Sequence, residues 1–277
     1  NGTPAQTTYS EWLASTWATP GDGFRTCQDC HMPSASAPGP IADPVIGSAP
    51  ERPGSQRHDH GFVARPGGVP AIELTVTTGS IGDEFAVQTT LSNPNAGHAF
   101  PTGISLRNAI VLVRATVNGV ELGQTGGPVV PDWANDDVPG EDDGDSGGYP
   151  GMGLAKVLTG VINGERTEPV LFFDADGVAS NTALAAGEVR PFLVRFALPP
   201  DAEAGDDVEV EVRVLYRRAW RALAVTKGWT EPAAGGPLEE VLVSDLRSVE
   251  LDASFFPFFA DGFESGDTSR WSRVVQP

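Results

Sequence analysis

Six runs of alternating, largely β-branched sequence follow one another between residues 71 and 252: AIELTVTT, EFAVQTTLS, NAIVLVRATV, RPFLVRFALPP, DVEVEVRVLYRR and LEEVLVSDLRSVEL. Alternation at period two sends apolar side chains to one face of a strand and polar ones to the other, so each run reads as half-buried β structure. Gly, Pro, Asp or Asn bounds the runs, and VNGV at 117–120 has the residues of a two-residue hairpin turn. With 33 Gly and 24 Pro in 277 residues, short strands and many turns are favoured over long helices. The expected fold is mainly β: an antiparallel, immunoglobulin-like β-sandwich over residues 71–254. The segment PDWANDDVPGEDDGDSGGYPGMG, 131–153, interrupts it as an acidic, Gly-rich insertion.

Residues 1–70 read differently. TTYSEWLASTWA places Tyr9, Trp12, Leu13 and Ala14 at near-helical spacing and predicts a short amphipathic helix stopped by Pro20 and Gly21. From Met32 to Pro70 the chain is rich in Pro, Gly, Ser and Ala. Such a segment has little to bury, so something other than its own core must order it. Residues 255–277 form a third part, an aromatic tail with Phe255, Phe256, Phe258, Phe259, Phe263 and Trp271.

A formal charge of −19 and a pI near 4.4 make nucleic acid and anionic membranes poor partners. No apolar run approaches the roughly 20 residues of a membrane helix. No secretory signal is visible at Asn1, so the expectation is a mature, processed chain or a cytosolic one.

The chemistry concentrates in FRTCQDCHMP, residues 24–33, which holds both cysteines as C-x-x-C with His31 directly after. Zinc usually takes four ligands, and the chain offers two cysteines, three further histidines and no second paired knuckle. A thioredoxin-like dithiol belongs to a βαβ setting that the sequence lacks. A disulfide across four residues gains little chain entropy. C-x-x-C-H is also the signature of covalent haem c: two thiols one helical turn apart reach the two vinyl groups of a porphyrin, and the next imidazole reaches the iron. That reading also supplies the apolar body that the Pro-rich segment lacks. It makes Cys27 and Cys30 the thioether residues and His31 the proximal ligand. Tyr9, Trp12, Trp17 and Phe24 are then the apolar wall of the pocket. The opposite face of the iron is left to His58, His60, His98 or Met152, or to no protein ligand; for His58 a solvated position beside Asp59 is the simpler expectation.

YSEWLASTWA, CQDCHMP, RHDHGF and GHAFPTG, with LAKVLTG and VLYRRAW further on, resemble a family of secreted multihaem c-type cytochromes in which a haem-binding head precedes a β-sandwich. The resemblance implies a haem-dependent electron carrier exported from the cytoplasm, its signal peptide removed. It implies His60, which matches the family's R-x-x-H-x-F element, as the favoured distal ligand. His98 matches G-H-x-F-P-T-G and is the alternative. Two departures stand out. This chain has one C-x-x-C-H where the family has several, and Trp17 takes the place of a histidine in the family's S-x-H-A element. The implied protein is a reduced, single-haem relative.

Asp136, Asp137, Glu141, Asp142, Asp143 and Asp145 form an acidic loop with the carboxylates and glycines that calcium sites use. Their spacing is not that of an EF-hand, and a solvated loop is the other reading; DADG at 174–177 is a weaker case. Arg57, Arg65 and Arg107 are candidates to pair with haem propionates. DGFESGDTSRWS in the tail resembles a short C-terminal element of exported bacterial proteins. The aromatic tail suits packing onto its own sandwich or docking onto a neighbour, which leads to an expectation of self-association into an extracellular filament. Expected partners are redox proteins or extracellular acceptors. The alternatives are an adhesive or structural filament in which haem serves mainly as a folding staple, and a labile distal site with peroxidase or sensor chemistry. No Ser-His-Asp set, metal-hydrolase motif or phosphate loop points to another enzyme.

Overall fold

The computed structural model of the chain describes residues 2–41, 50–58, 72–135, 145–229, 239–252 and 255–256. Two short helices open it, α1 (Thr8–Leu13) and α2 (Cys27–His31). A two-residue ladder pairs β1 (Gly39–Pro40) with β2 (Glu51–Arg52). None of the residues of α1 or α2 is buried. Every apolar residue of the buried core lies at or beyond Ile72. Among the described residues, the head contributes no apolar side chain to that core.

All six predicted runs are strands: β3 (Glu73–Ile81), β4 (Glu84–Ser92), β5 (Asn108–Val117), β11 (Val189–Ala197), β12 (Asp207–Arg217) and β13 (Glu239–Glu250). β6 (Val120–Glu121) and β7 (Gln124–Gly126) follow β5. The hairpin predicted at 117–120 is present, with Asn118 and Gly119 both at positive φ and Val117 paired to Val120. β8 (Gly151–Ile162), β9 (Glu165–Thr167) and β10 (Ala175–Asn181) complete the set. One antiparallel sheet runs β10-β8-β5-β12-β13, with β6 and β9 attached; the other runs β3-β4-β11-β7. Phe85, Val87, Leu91, Val194 and Phe196 of the smaller sheet share one buried cluster with Val111, Val113, Val210, Val212 and Val214 of the larger. Burying apolar surface at about 25 cal/mol per Å² is what holds the two layers. Phe255 joins this core, stacking on Phe85 with ring centres 5.6 Å apart, and Phe256 packs beside it. The tail thus begins by packing on its own sandwich; the rest of it lies outside the described residues.

The acidic insertion is shorter than expected, because β8 already begins at Gly151. A Cβ on Gly153 would sit 2.3 Å from Cζ2 of Trp133. Glycine there admits an aromatic ring against the strand, so residues that read as loop are strand with a close neighbour. Trp133 and the buried Val130 and Ala134 cover Ile110 on the outer face of β5. Part of the predicted insertion is therefore a cover for the sheet.

Candidate functional site

α2 is five residues long and would not hold as a free helix. Its start is fixed by a reciprocal cap: the Asp29 backbone N–H donates to Thr26 Oγ1 at 3.3 Å, and the Thr26 backbone N–H donates to Asp29 Oδ2 at 2.7 Å. The Thr26 backbone N–H, together with the Thr26 hydroxyl, which donates to Asp29 Oδ2 at 2.8 Å, holds the Asp29 carboxyl below the usual carboxylate range. Its end is fixed by His58, whose Nδ1 lies 2.6 Å from the carbonyl of Met32, the residue after His31. Ala35 N–H to the Arg57 carbonyl, 2.8 Å, ties the same two segments together. The helical turn puts Cys27 and Cys30 on one face at i and i+3. Both are free thiols, Cys27 exposed and Cys30 half-buried. Burial pushes the Cys30 thiol up, and Asp29 pushes it further.

Opposite α2 lies the loop that leaves β4. Asn93, fully buried, donates from Nδ2 to the carbonyls of His98 at 2.9 Å and Leu184 at 3.0 Å. Phe100 and Leu184 exchange backbone hydrogen bonds of 2.8 and 2.7 Å. The loop is therefore a rigid part of the sandwich. His98 projects from it so that its ring centre is 6.0 Å from that of His31, with 16° between the planes. His98 Nδ1 lies 2.9 Å from the Ala99 carbonyl, the contact that assigns the proton to Nδ1 and leaves Nε2 as the free lone pair. Burial holds the His98 imidazole below its ordinary pKa, against the upward pull of that carbonyl; a neutral ring is what a metal ligand must be.

The head docks on this loop. Trp17 and Trp12 lie so close to Gly97 that a Cβ there would stand 3.0 Å from Trp17 Cγ and 3.3 Å from Trp12 Cδ1. Trp12 also packs against Tyr9 and Phe24, with ring centres 5.6 and 6.2 Å apart. Glu11 of α1 reaches the far side of the loop, accepting from Thr102 Oγ1 at 2.7 Å and from the Ala99 backbone N–H at 3.3 Å. Burial pushes the Glu11 carboxyl up, but bonds from Thr102 and Thr7 and the charge of Lys156 outweigh it and hold the group below its ordinary value.

Other residues singled out from the sequence fall elsewhere. His60 and Arg65 lie outside the described residues, as do Asp136, Asp137, Glu141, Asp142 and Asp143. Asp145 is described and pairs with Arg221 at 3.3 Å. His58 is half-buried and bonded to Met32, a fixed position rather than a solvated one. Met152 packs against the sandwich core. Arg57 donates to the Ala37 carbonyl at 2.9 Å, and Arg107 donates to that of Thr102 at 3.3 Å on the His98 loop. Among the described residues no group of three or more His, Cys, Asp and Glu is placed to hold a metal ion by itself. Glu11 and Asn93 were not singled out: each acts through a partner about 90 residues or more away, and nothing local marks it.

Fold and site together define an antiparallel β-sandwich carrying a docked Cys-x-x-Cys-His head. No family model matches the chain, and no curated protein matches it. Its fold is similar to that of a penta-haem cytochrome c552 from Thermochromatium tepidum, with a TM-score of 0.54 and 21% identity over 88% of this chain. The chain spans about half the length of that structure, 51%.

Proposed function

We propose that the chain is an extracytoplasmic c-type cytochrome with one haem, bonded through Cys27 and Cys30 and held at the iron by His31 and His98. The observation that carries this is the His31–His98 ring pair. Metal–imidazole bonds of about 2 Å, with about 1 Å more from each nitrogen to its ring centre, set two axial imidazoles roughly 6 Å apart. The rings here stand 6.0 Å apart. Two free thiols on a capped turn, a neutral His98 with its Nε2 lone pair available, and a head without its own core all suit the same group. The cofactor supplies reversible one-electron chemistry, and two nitrogen ligands favour electron transfer over activation of a substrate. This chain's residues position both imidazoles, and the Ala99 carbonyl fixes the tautomer of His98. The likeness to a penta-haem cytochrome c552 adds a fold that holds haem in that protein. Covalent haem attachment places the protein outside the cytoplasm, and no helix among the described residues is long and apolar enough to cross a membrane.

Intact mass, a haem-stained denaturing gel and visible spectra test the proposal. The expected result is one covalent haem with a six-coordinate, low-spin spectrum that His98→Ala abolishes and His60→Ala leaves intact. The opposite pattern would return the distal role to His60. A mass without a porphyrin, or a Cys27–Cys30 disulfide, removes the proposal.

Assembly of copies into an extracellular filament is a second reading. It is favoured by one observation: among the described residues, β13 ends the larger sheet with β12 as its one strand partner.

A further inference from the structure

The two histidines of the site belong to different parts of the molecule, His31 to the head and His98 to the sandwich. They stay opposed only while the head stays docked. Asn93 fastens the His98 loop to the sandwich, donating to the His98 and Leu184 carbonyls. The polar contacts across the junction converge on Glu11. Its Oε2 takes Thr102 Oγ1 at 2.7 Å and the backbone N–H of Ala99, the residue after His98, at 3.3 Å. Its Oε1 takes Thr7 Oγ1 at 2.5 Å, and Lys156 Nζ of β8 lies 3.8 Å away. Lys156 also donates to Thr7, and the hydroxyls of Thr8 and Thr102 are 2.8 Å apart. The Glu11 side chain is 21% exposed and that of Lys156 14%, so this charge pair is little screened by water. Apolar contacts across the junction include Trp12 and Trp17 on Gly97, and Ala5 on the cluster of Leu158, Val170 and Ala175.

We infer that Glu11 is a latch, a positioning residue that holds the head on the sandwich and so keeps His98 opposite His31. The inference rests on the haem reading above. With the latch closed the distal position belongs to His98. With it released, the head and its metal move away from His98, and a small neutral molecule takes the place. Electron transfer and small-ligand binding are then alternative states of one site, divided by a single carboxylate.

The test uses the full-length, haem-loaded protein, with low-spin absorbance and carbon monoxide binding to the reduced form as readouts. Wild type should bind little carbon monoxide. Glu11→Ala should raise the ligand-accessible fraction about tenfold or more, since a carboxylate with charge-assisted hydrogen bonds is lost. Thr102→Val keeps the carboxylate, loses one donor, and should fall between the two. Glu84→Gln breaks the Arg195–Glu84 pair, 2.6 Å, at the other end of β4, and should behave as wild type. Wild-type behaviour of Glu11→Ala and Thr102→Val overturns the latch alone. Equal reactivity of Glu84→Gln and Glu11→Ala overturns it in favour of general loosening. Should Glu11→Ala fail to fold, Thr102→Val decides by the same criterion. A wild-type protein without haem overturns the haem reading and the latch with it.

Discussion

At the scale of single residues, the site depends on side chains whose partners are distant in sequence. Glu11 shows how this sets the pH range of stability. Its folded-state pKa is depressed below its ordinary value. Its contribution is therefore present above the unfolded-state pKa of about 4.3 and is lost as pH falls through the lower, folded-state value. Urea titrations from pH 7 down to pH 3 should show a loss of stability below about pH 4 that is smaller in Glu11→Gln. An identical acid limb in both proteins would deny Glu11 that role. Cys27, Cys30 and His31 were legible because their chemistry is local and their spacing is fixed by one helical turn. His98 was legible only as one of several candidates. Its place opposite His31 comes from a loop tied down through Asn93 and Leu184, and no window of sequence contains that long-range pairing.

The elements were legible wherever side chains alternate. All six β-branched runs became strands, because a half-buried pleated surface imposes period two. β8 was hidden, since Gly151 and Gly153 carry no side chain to alternate and Trp133 does the covering from another segment. β13 is alternating but carries an unequal charge. EEVLVSDLRSVE holds four carboxylates against one guanidinium, and Arg247 is engaged with Asp245 at 2.7 Å and with the Val76 carbonyl at 2.7 Å. Acidic side chains on an edge strand discourage pairing with a copy of itself. If copies add along β13, association should be weak at low ionic strength and strengthen as salt shortens the Debye length to roughly 8 Å or less. Sedimentation at 0.02 M and 0.5 M salt (about 20 and 4 Å of screening) should show monomers in the first and larger species in the second. Monomers under both conditions would eliminate the edge-to-edge filament.

At the scale of the molecule, stability is divided unevenly. The sandwich owns the buried apolar core, whereas the head holds itself by caps, a two-residue ladder and docking contacts. Preventing haem attachment with Cys27→Ser and Cys30→Ser should therefore leave the strand signature and the main unfolding transition of the sandwich nearly unchanged. The head should open locally, and trypsin should cut it at Arg25 much faster than in the loaded protein. Protection of Arg25 in the haem-free double variant would mean that the head folds without a prosthetic group. Composition points the same way, because a Pro-, Gly- and Ser-rich segment has little of its own to bury.

The opposition of residues 31 and 98 has a topological corollary. On the proposed reading, a metal gripped from both sides would close a covalent-like ring through the backbone, and for a ring of that length the loop-entropy relation gives on the order of 4 kcal/mol against the unfolded ensemble. Unlike a disulfide, such a tie would be undone by ligand exchange rather than by reductant, so the event that vacates the iron would also let the ring slacken.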